Sequence, residues 1–483
     1  MSFLFYDLIF LVISCIAVAL FLYKRRKKLK IESKILLLYR TGFGIRVINN
    51  VSKRFKKQLY WIGYLSIGLG YLLMAASVAM IIQLGIIVFS KPEVIGVVKI
   101  PPLMPLIPYL PEIFKVDFLP PFYFTYWIVV IAMIAIPHEF FHGIFARKND
   151  IKIKSTGFGF LGPFLAAFVE PDEKEMAKKS FKSQTEILTA GSFANVLMTI
   201  IIGMIMIIFF MISFNPVGVV FNGYSSAIVN IDTLSRNNKS ILDFNQTELT
   251  DLRNKSDLNI KLDGNSLNLL KVEQGEKVFF VTPNNLIDSI NNNNKYIIAF
   301  LDMPALKNGV VGAITHIDDN RILSMEDLSS SLSKKIPGDK VKIKTKIKDK
   351  FKEYEIILEA DPYNSSRGVL GVVFISQEDK GVFAKVRKIV TFYKKPFVYY
   401  EPIGNSDFII FFYNLLWWIV LISLSVAIVN MLPLGIFDGG RVFYISILKL
   451  TGSEKTTSKI FKIVTILFLI FFVFLTIFWF IKG

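Results

Sequence analysis

Six long, apolar stretches dominate this chain, at residues 8–23, 59–89, 122–145, 187–214, 408–437 and 463–481. Inside a bilayer the backbone must satisfy its own polar groups, so stretches of this kind are committed to helix and to crossing the membrane. The composition agrees, with 53% hydrophobic residues and 45 phenylalanines among 483 residues. The net charge of +18 does not point to nucleic acid, because the basic residues cluster beside the apolar stretches. Between residues 24 and 57, thirteen Lys and Arg face a single acid, Glu32. The positive-inside rule places that segment in the cytoplasm and the N-terminus outside. Asp7 precedes the first stretch and Lys24-Arg25-Arg26-Lys27-Lys28 follow it, the reverse of a cleaved secretory signal. Alternating spans then put Arg147-Lys148 and the lysines at 455, 459 and 462 on the same cytoplasmic face.

Two segments do not read as spans. Residues 157–169 are apolar but interrupted by glycines and Pro163, which suits a re-entrant loop or short hairpin buried in protein. Residues 215–407 are rich in charge and asparagine, with strand-length apolar runs at 217–221, 340–345 and 354–358. One short helix is expected there, capped by Ser324 with Asp327 three residues on. Residues 232–295 lack a sustained period and read as an irregular insertion. The fold class is therefore a polytopic α-helical membrane protein of about six spans with an inserted, extracytoplasmic, β-rich domain. The single cysteine, Cys15, excludes an intrachain disulfide framework and a Cys-based zinc site.

The chemistry concentrates in His138-Glu139-Phe140-Phe141-His142, near the end of the third span. On a helix, histidines at i and i+4 share a face and can reach one metal ion, while the adjacent glutamate can act on a water held there. Ionisable groups in an apolar span are costly and mark function. Two of the chain's three histidines lie in this motif. A catalytic zinc takes three protein ligands, so one is missing. His316 falls in the inserted domain, across the membrane in this topology. Asp438 ends the inward-running fifth span at the depth of His142, although Asp-Gly is also a common turn signal. Glu170 and Asp172 are the rival carboxylates, closer in sequence but set among lysines.

His138-Glu139-x-x-His142 together with Asn430-x-x-Pro433-x-x-x-x-Asp438-Gly439 resembles the site-2 protease family of intramembrane zinc metalloproteases. The resemblance covers residues 122–214 and 408–450. It implies that His138, His142 and Asp438 bind Zn2+, that Glu139 is the general base, and that Asn430 and Pro433, with Asn430 two turns before the aspartate, help to position the substrate. It likens 157–169 to the family's membrane-inserted β-loop, and 215–407 to its PDZ domains. Residues 1–121 would be two additional spans with a basic cytoplasmic loop and an external loop, and 451–483 a C-terminal span. Departures are Ser192 in place of proline, Phe437 before Asp-Gly, the insertion and the extra N-terminal spans. The implied activity is hydrolysis of peptide bonds in membrane-anchored substrates within the lipid bilayer of the cell membrane, with the site towards the cytoplasm. The alternatives are a membrane zinc protease acting on soluble segments, and a non-catalytic scaffold or transporter with an external binding domain. No nucleic-acid partner is expected.

Overall fold

The computed structural model describes residues 3–32, 36–90, 106–114, 116, 119–161, 164–261, 266–362, 364–375 and 391–482. Residues 91–105 of the expected external loop, and Gly162-Pro163 in the 157–169 segment, lie outside them. The chain divides into two compact units, residues 1–210 with 410–483, and residues 211–409.

The first unit holds six helices long and apolar enough to cross a membrane. They are α1 (Phe3–Arg25), α3 (Lys56–Ser90), α4 (Phe124–Lys148), α5 (Phe181–Ser213), α6 (Ser406–Val429) and α8 (Glu454–Lys482). The shorter helices include α2 (Ile45–Arg54) and α7 (Asp438–Thr451). Four strands, β1 (Leu29–Glu32), β2 (Leu36–Thr41), β3 (Ile153–Leu161) and β4 (Phe164–Pro171), form one antiparallel sheet in that order. The 157–169 segment is thus the greater part of a hairpin, β3–β4. The basic segment expected as a loop supplies β1, β2 and α2. Its lysines hid the pattern, because Leu36-Leu37-Leu38 is too short to signal anything alone.

Asp7 is a buried cap, not a flanking charge. Its carboxylate accepts from the Phe124 and Thr125 N–H groups at 2.8 and 2.9 Å, and from the Thr125 and Tyr109 hydroxyls at 2.5 Å. The two N–H groups are donors that the first turn of α4 cannot satisfy internally, and the carboxylate also complements the positive end of the helix dipole. With the starts of α1 and α4 joined there, and β2 pairing with β3 beyond their ends, the two helices run the same way. On the other flank, Gly63, Ser66 and Gly70 of α3 let it approach α5 closely. A Cβ on Gly63 would meet Glu186 and one on Gly70 would meet Thr189, and the buried Ser66 and Thr189 hydroxyls bond at 2.8 Å.

The fifth apolar stretch is not one span to residue 437. Helix α6 stops at Val429, residues 430–437 form a compact turn, and Asp438 opens a new helix. Pro433 has no N–H to continue the ladder and disfavours helix at the residue before it. Asn430 is therefore not two helical turns before Asp438. Its carbonyl instead accepts from the Gly439 N–H at 2.8 Å.

Among the described residues the second unit contains two two-stranded sheets and two larger ones, each of the larger with its own apolar core. In one, the strands Lys350–Ile357, Lys340–Ile347, Ala313–Ile317, Phe214–Val220 and Val398–Pro402 lie side by side in that order. Ile314, Ile317, Val341, Ile343 and Leu332 fill its core. The helix Met325–Ser333 is capped by Ser324, whose hydroxyl accepts from the Asp327 N–H. The expected irregular insertion is the second sheet, in which Ser226–Asn230, Tyr296–Leu301, Lys277–Val281 and Ser266–Gln274 are neighbours. Leu270, Val272, Val281 and Leu286 are buried under it, and it adds the helices Gln246–Leu252 and Pro283–Asn291. The expectation of one short helix was too low because Asn and Ser, frequent here, serve as caps. Asn245 closes a capping box with Glu248.

Asp7→Ala should leave four donors unpaired and cost on the order of 2–4 kcal/mol. Thermal unfolding of the detergent-solubilised protein measures it, and Asp7→Glu should recover part of the loss.

Candidate metal centre

Helix α4 carries His138 and His142 one turn apart, and α7 brings Asp438 to the same point. His138 Nε2 and His142 Nε2 lie 3.1 Å apart, and Asp438 Oδ2 is 3.4 and 3.2 Å from them. These form a metal-capable group of three among the described residues. Donor type and spacing both fit zinc. Bonds of about 2.0–2.1 Å at tetrahedral angles put ligand atoms roughly 3.3–3.4 Å apart, close to the triangle observed.

Each imidazole is oriented through its other nitrogen. His142 Nδ1 lies 2.7 Å from the Ile187 carbonyl, so the proton sits on Nδ1 and Nε2 keeps its lone pair. His138 Nδ1 lies 3.1 Å from the Asn195 side-chain amide. Asn195 Oδ1 is buried without a partner when Nδ2 faces the ring. A ligating His138 needs an acceptor at Nδ1, so the amide is assigned with Oδ1 towards the ring. Helix α5 supplies both partners and must come very close to do so. A Cβ on Gly191 would collide with His138 and His142. Lys148 holds α4 to α5 at this level, its Nζ bonding both oxygens of buried Glu186 at 2.9 and 2.8 Å, next to Ile187.

The Asp-Gly-Gly sequence has a steric cause. A Cβ on Gly439 would strike the Met431 and Leu432 backbone, and one on Gly440 the Leu434 backbone. Only glycines let the 430–437 turn fold onto the start of α7 and bring Asp438 to the histidines. Asn430 and Pro433 belong to this turn rather than to the triangle.

Glu139 lies about 100° round α4 from His138, and its Oε2 accepts from the Val169 N–H of β4 at 2.9 Å. Among the described residues β4 is a terminal strand of this sheet, paired with β3. Backbone groups alternate along a strand, so those of Ala167 and Leu165 point towards the same free edge as Val169 N–H. Arg40 of β2 clamps the adjacent Glu170, with Nε donating to Oε2 at 2.9 Å, and the Ser155 hydroxyl donates to the same oxygen at 2.7 Å.

The rival ligands are otherwise engaged. The Ser155 hydroxyl and Arg40 hold the Glu170 carboxyl below its usual range. Asp172 caps the turn at Lys174 and Glu175 and pairs with Lys154 at 3.2 Å. His316 belongs to the second unit, where burial and the nearby Lys344 and Arg321 charges push its pKa down. In sequence, Gly191 and Asn195 of the fourth apolar stretch read only as residues that allow close helix packing. Small residues four positions before an asparagine in a span were the available signal, but nothing in them named the histidines as their target.

The profile of peptidase family M50 matches residues 126–475, most of the chain. The chain belongs to peptidase family M50. A Chlamydia pneumoniae protein named "Putative zinc metalloprotease" is 29% identical over 168 residues, which cover 31% of this chain and 26% of that relative. The chain thus matches about a quarter of the relative's length. A chain of family M50 thus carries a metal-capable His-His-Asp cluster among six helices long and apolar enough to cross a membrane, counted over the described residues.

Asn195→Ala should lower metal affinity roughly 10- to 100-fold, as expected for loss of a partner that orients a ligand. Gly191→Ala should lower it further by displacing both imidazoles. Competition with a chromophoric chelator measures both.

Proposed function

We propose that this M50 peptidase is a zinc-dependent intramembrane protease that cleaves transmembrane segments of membrane-anchored substrates. The observation that carries this reading is the convergence of His138, His142 and Asp438 within the helical core, with Glu139 beside a free strand edge. His138, His142 and Asp438 would hold Zn2+, which supplies Lewis-acid polarisation of the scissile carbonyl and acidifies water. Glu139 acts as general base and then passes the proton to the leaving amine. The Val169 N–H engages Oε2 of this carboxylate, and the second oxygen can take the proton from water.

A helical substrate hides its scissile carbonyl in an i to i+4 hydrogen bond. Pairing with the free edge of β4 offers the unwound segment replacement hydrogen bonds, the same recognition as strand addition to a sheet. Apolar walls suit a lipid-borne chain, since Trp127, Ile131, Ala135 and Leu165 line a cavity between α4 and β4. Asn430 and Pro433 position the substrate by holding the turn that delivers Asp438. The site faces the cytoplasm in this reading, because the basic flanks that follow α1 and α4 lie at the ends where the sheet forms. The second unit is read as an extracytoplasmic, PDZ-like domain. Its support is a groove between the Met325–Ser333 helix and the strand Asn364–Val369, lined by Leu328, Leu332, Arg367, Gly368 and Phe374. An extended peptide could add there.

Glu139→Gln should reduce cleavage of a membrane-anchored substrate in proteoliposomes by roughly 10²- to 10⁴-fold while zinc content is unchanged. Asp438→Ala should lose both zinc and activity. Full cleavage by Glu139→Gln would overturn the mechanism, and retained zinc in Asp438→Ala would overturn the ligand set.

A further inference from the structure

The loop between β2 and α2, residues 42–44, forms a wall of the cavity that contains Glu139. That cavity, about 80 Å³, is lined by Thr41 and Phe43 on one side and by Phe140, Thr156, Phe158 and Phe168 around the carboxylate. Thr41 and Phe43 precede residue 126, where the match to the peptidase family begins. This wall is therefore contributed by a part of the chain outside the family match.

Its position is built, not incidental. Gly44 takes a left-handed φ of 89° and packs so tightly on Phe140 that a Cβ would come within 2.6 Å of the ring. The Thr156 hydroxyl of β3 donates to the Phe43 carbonyl, and the Phe43 N–H donates to the Thr41 hydroxyl at 3.2 Å. Arg40 fixes the preceding residue to Glu170. The backbone is thus held on both sides, yet the Phe43 ring is 82% exposed and fills no core. A ring so placed, beside a carboxylate and a free strand edge, is available to a bound chain.

We infer that Phe43 is a specificity-determining residue, closing a subsite that receives one small aliphatic side chain of the substrate next to the bond being cut. The inference rests on the protease reading above. Size sets the choice. An apolar cavity of about 150 Å³ admits benzene, and this one has roughly half that volume. Alanine or valine fits it, and an aromatic side chain does not.

The experiment uses the full-length protein in proteoliposomes with a panel of membrane-anchored substrates bearing Ala, Val, Leu or Phe on either side of the bond cut. Mass spectrometry maps the bond and gives relative rates. Wild type should favour Ala over Phe at one of these positions by roughly 10- to 100-fold, the range that a few carbon atoms command in an apolar pocket. Phe43→Ala should shrink that ratio about tenfold, and Phe43→Trp should enlarge it. Should Phe43→Ala lose zinc, Phe43→Leu, which keeps an apolar but smaller side chain at the wall, must shrink the ratio in its place. Wild-type cleavage with the same ratios in all variants overturns the subsite and leaves the protease reading standing. Absence of cleavage by wild type across the panel overturns both.

Discussion

Two imidazoles and a carboxylate gathered inside an apolar helical core set the terms for the rest of this molecule. Groups of this kind are costly away from water unless each polar atom has a partner. The Ile187 carbonyl and the Asn195 amide serve the histidines, and the glycines of α7 let Asp438 reach them. The remaining lone pairs point at one another across 3.1 to 3.4 Å, an arrangement that a cation completes. Much of the nearby architecture can be understood as the means of holding α4, α5 and α7 at these distances.

Close approach is achieved by removing side chains, and alignment by buried charge. Gly191 lets the α5 backbone touch the histidines, and Gly63 and Gly70 let α3 support α5 from behind. The Lys148–Glu186 pair fixes the axial position of α4 against α5 at the level of Ile187. Breaking a buried pair of this sort costs about 3–5 kcal/mol, because one charge is left without compensation. Asp7 does comparable work at the opposite end of α4, where four donors converge on it. The active helix is thus pinned at both ends by ionisable groups, while its middle is held by apolar packing.

The N-terminal segment, outside the family match, is joined to the site on three sides. Strand β2 extends the sheet that carries β4, helix α2 packs Ile48 against Gly143, and Arg40 braces Glu170 beside Val169. A two-stranded hairpin alone is marginal in stability, and two more strands with an ion pair stiffen it. A more rigid β4 presents a better-defined edge to an incoming chain, since less ordering remains to be done on binding.

By itself the sequence determined the apolar spans, their order and the pairing of His138 with His142 on one helix face, because charge-free length and i, i+4 spacing are local properties that survive any packing. It also put Asp438 among three candidate carboxylates, and it marked 157–169 as unable to span. Only the tertiary structure chose among those acids, since Glu170 and Asp172 are occupied by Arg40 and Lys154 while Asp438 turns inward. Only the tertiary structure showed Gly191 and Asn195 touching the histidines, strands hidden in a lysine-rich loop, and a second core in an asparagine-rich insertion. The physical reason is common to all of these. Each depends on which surfaces meet across tens to hundreds of residues, and a chain of short apolar runs and scattered polar groups is compatible with many such meetings until the helices have packed.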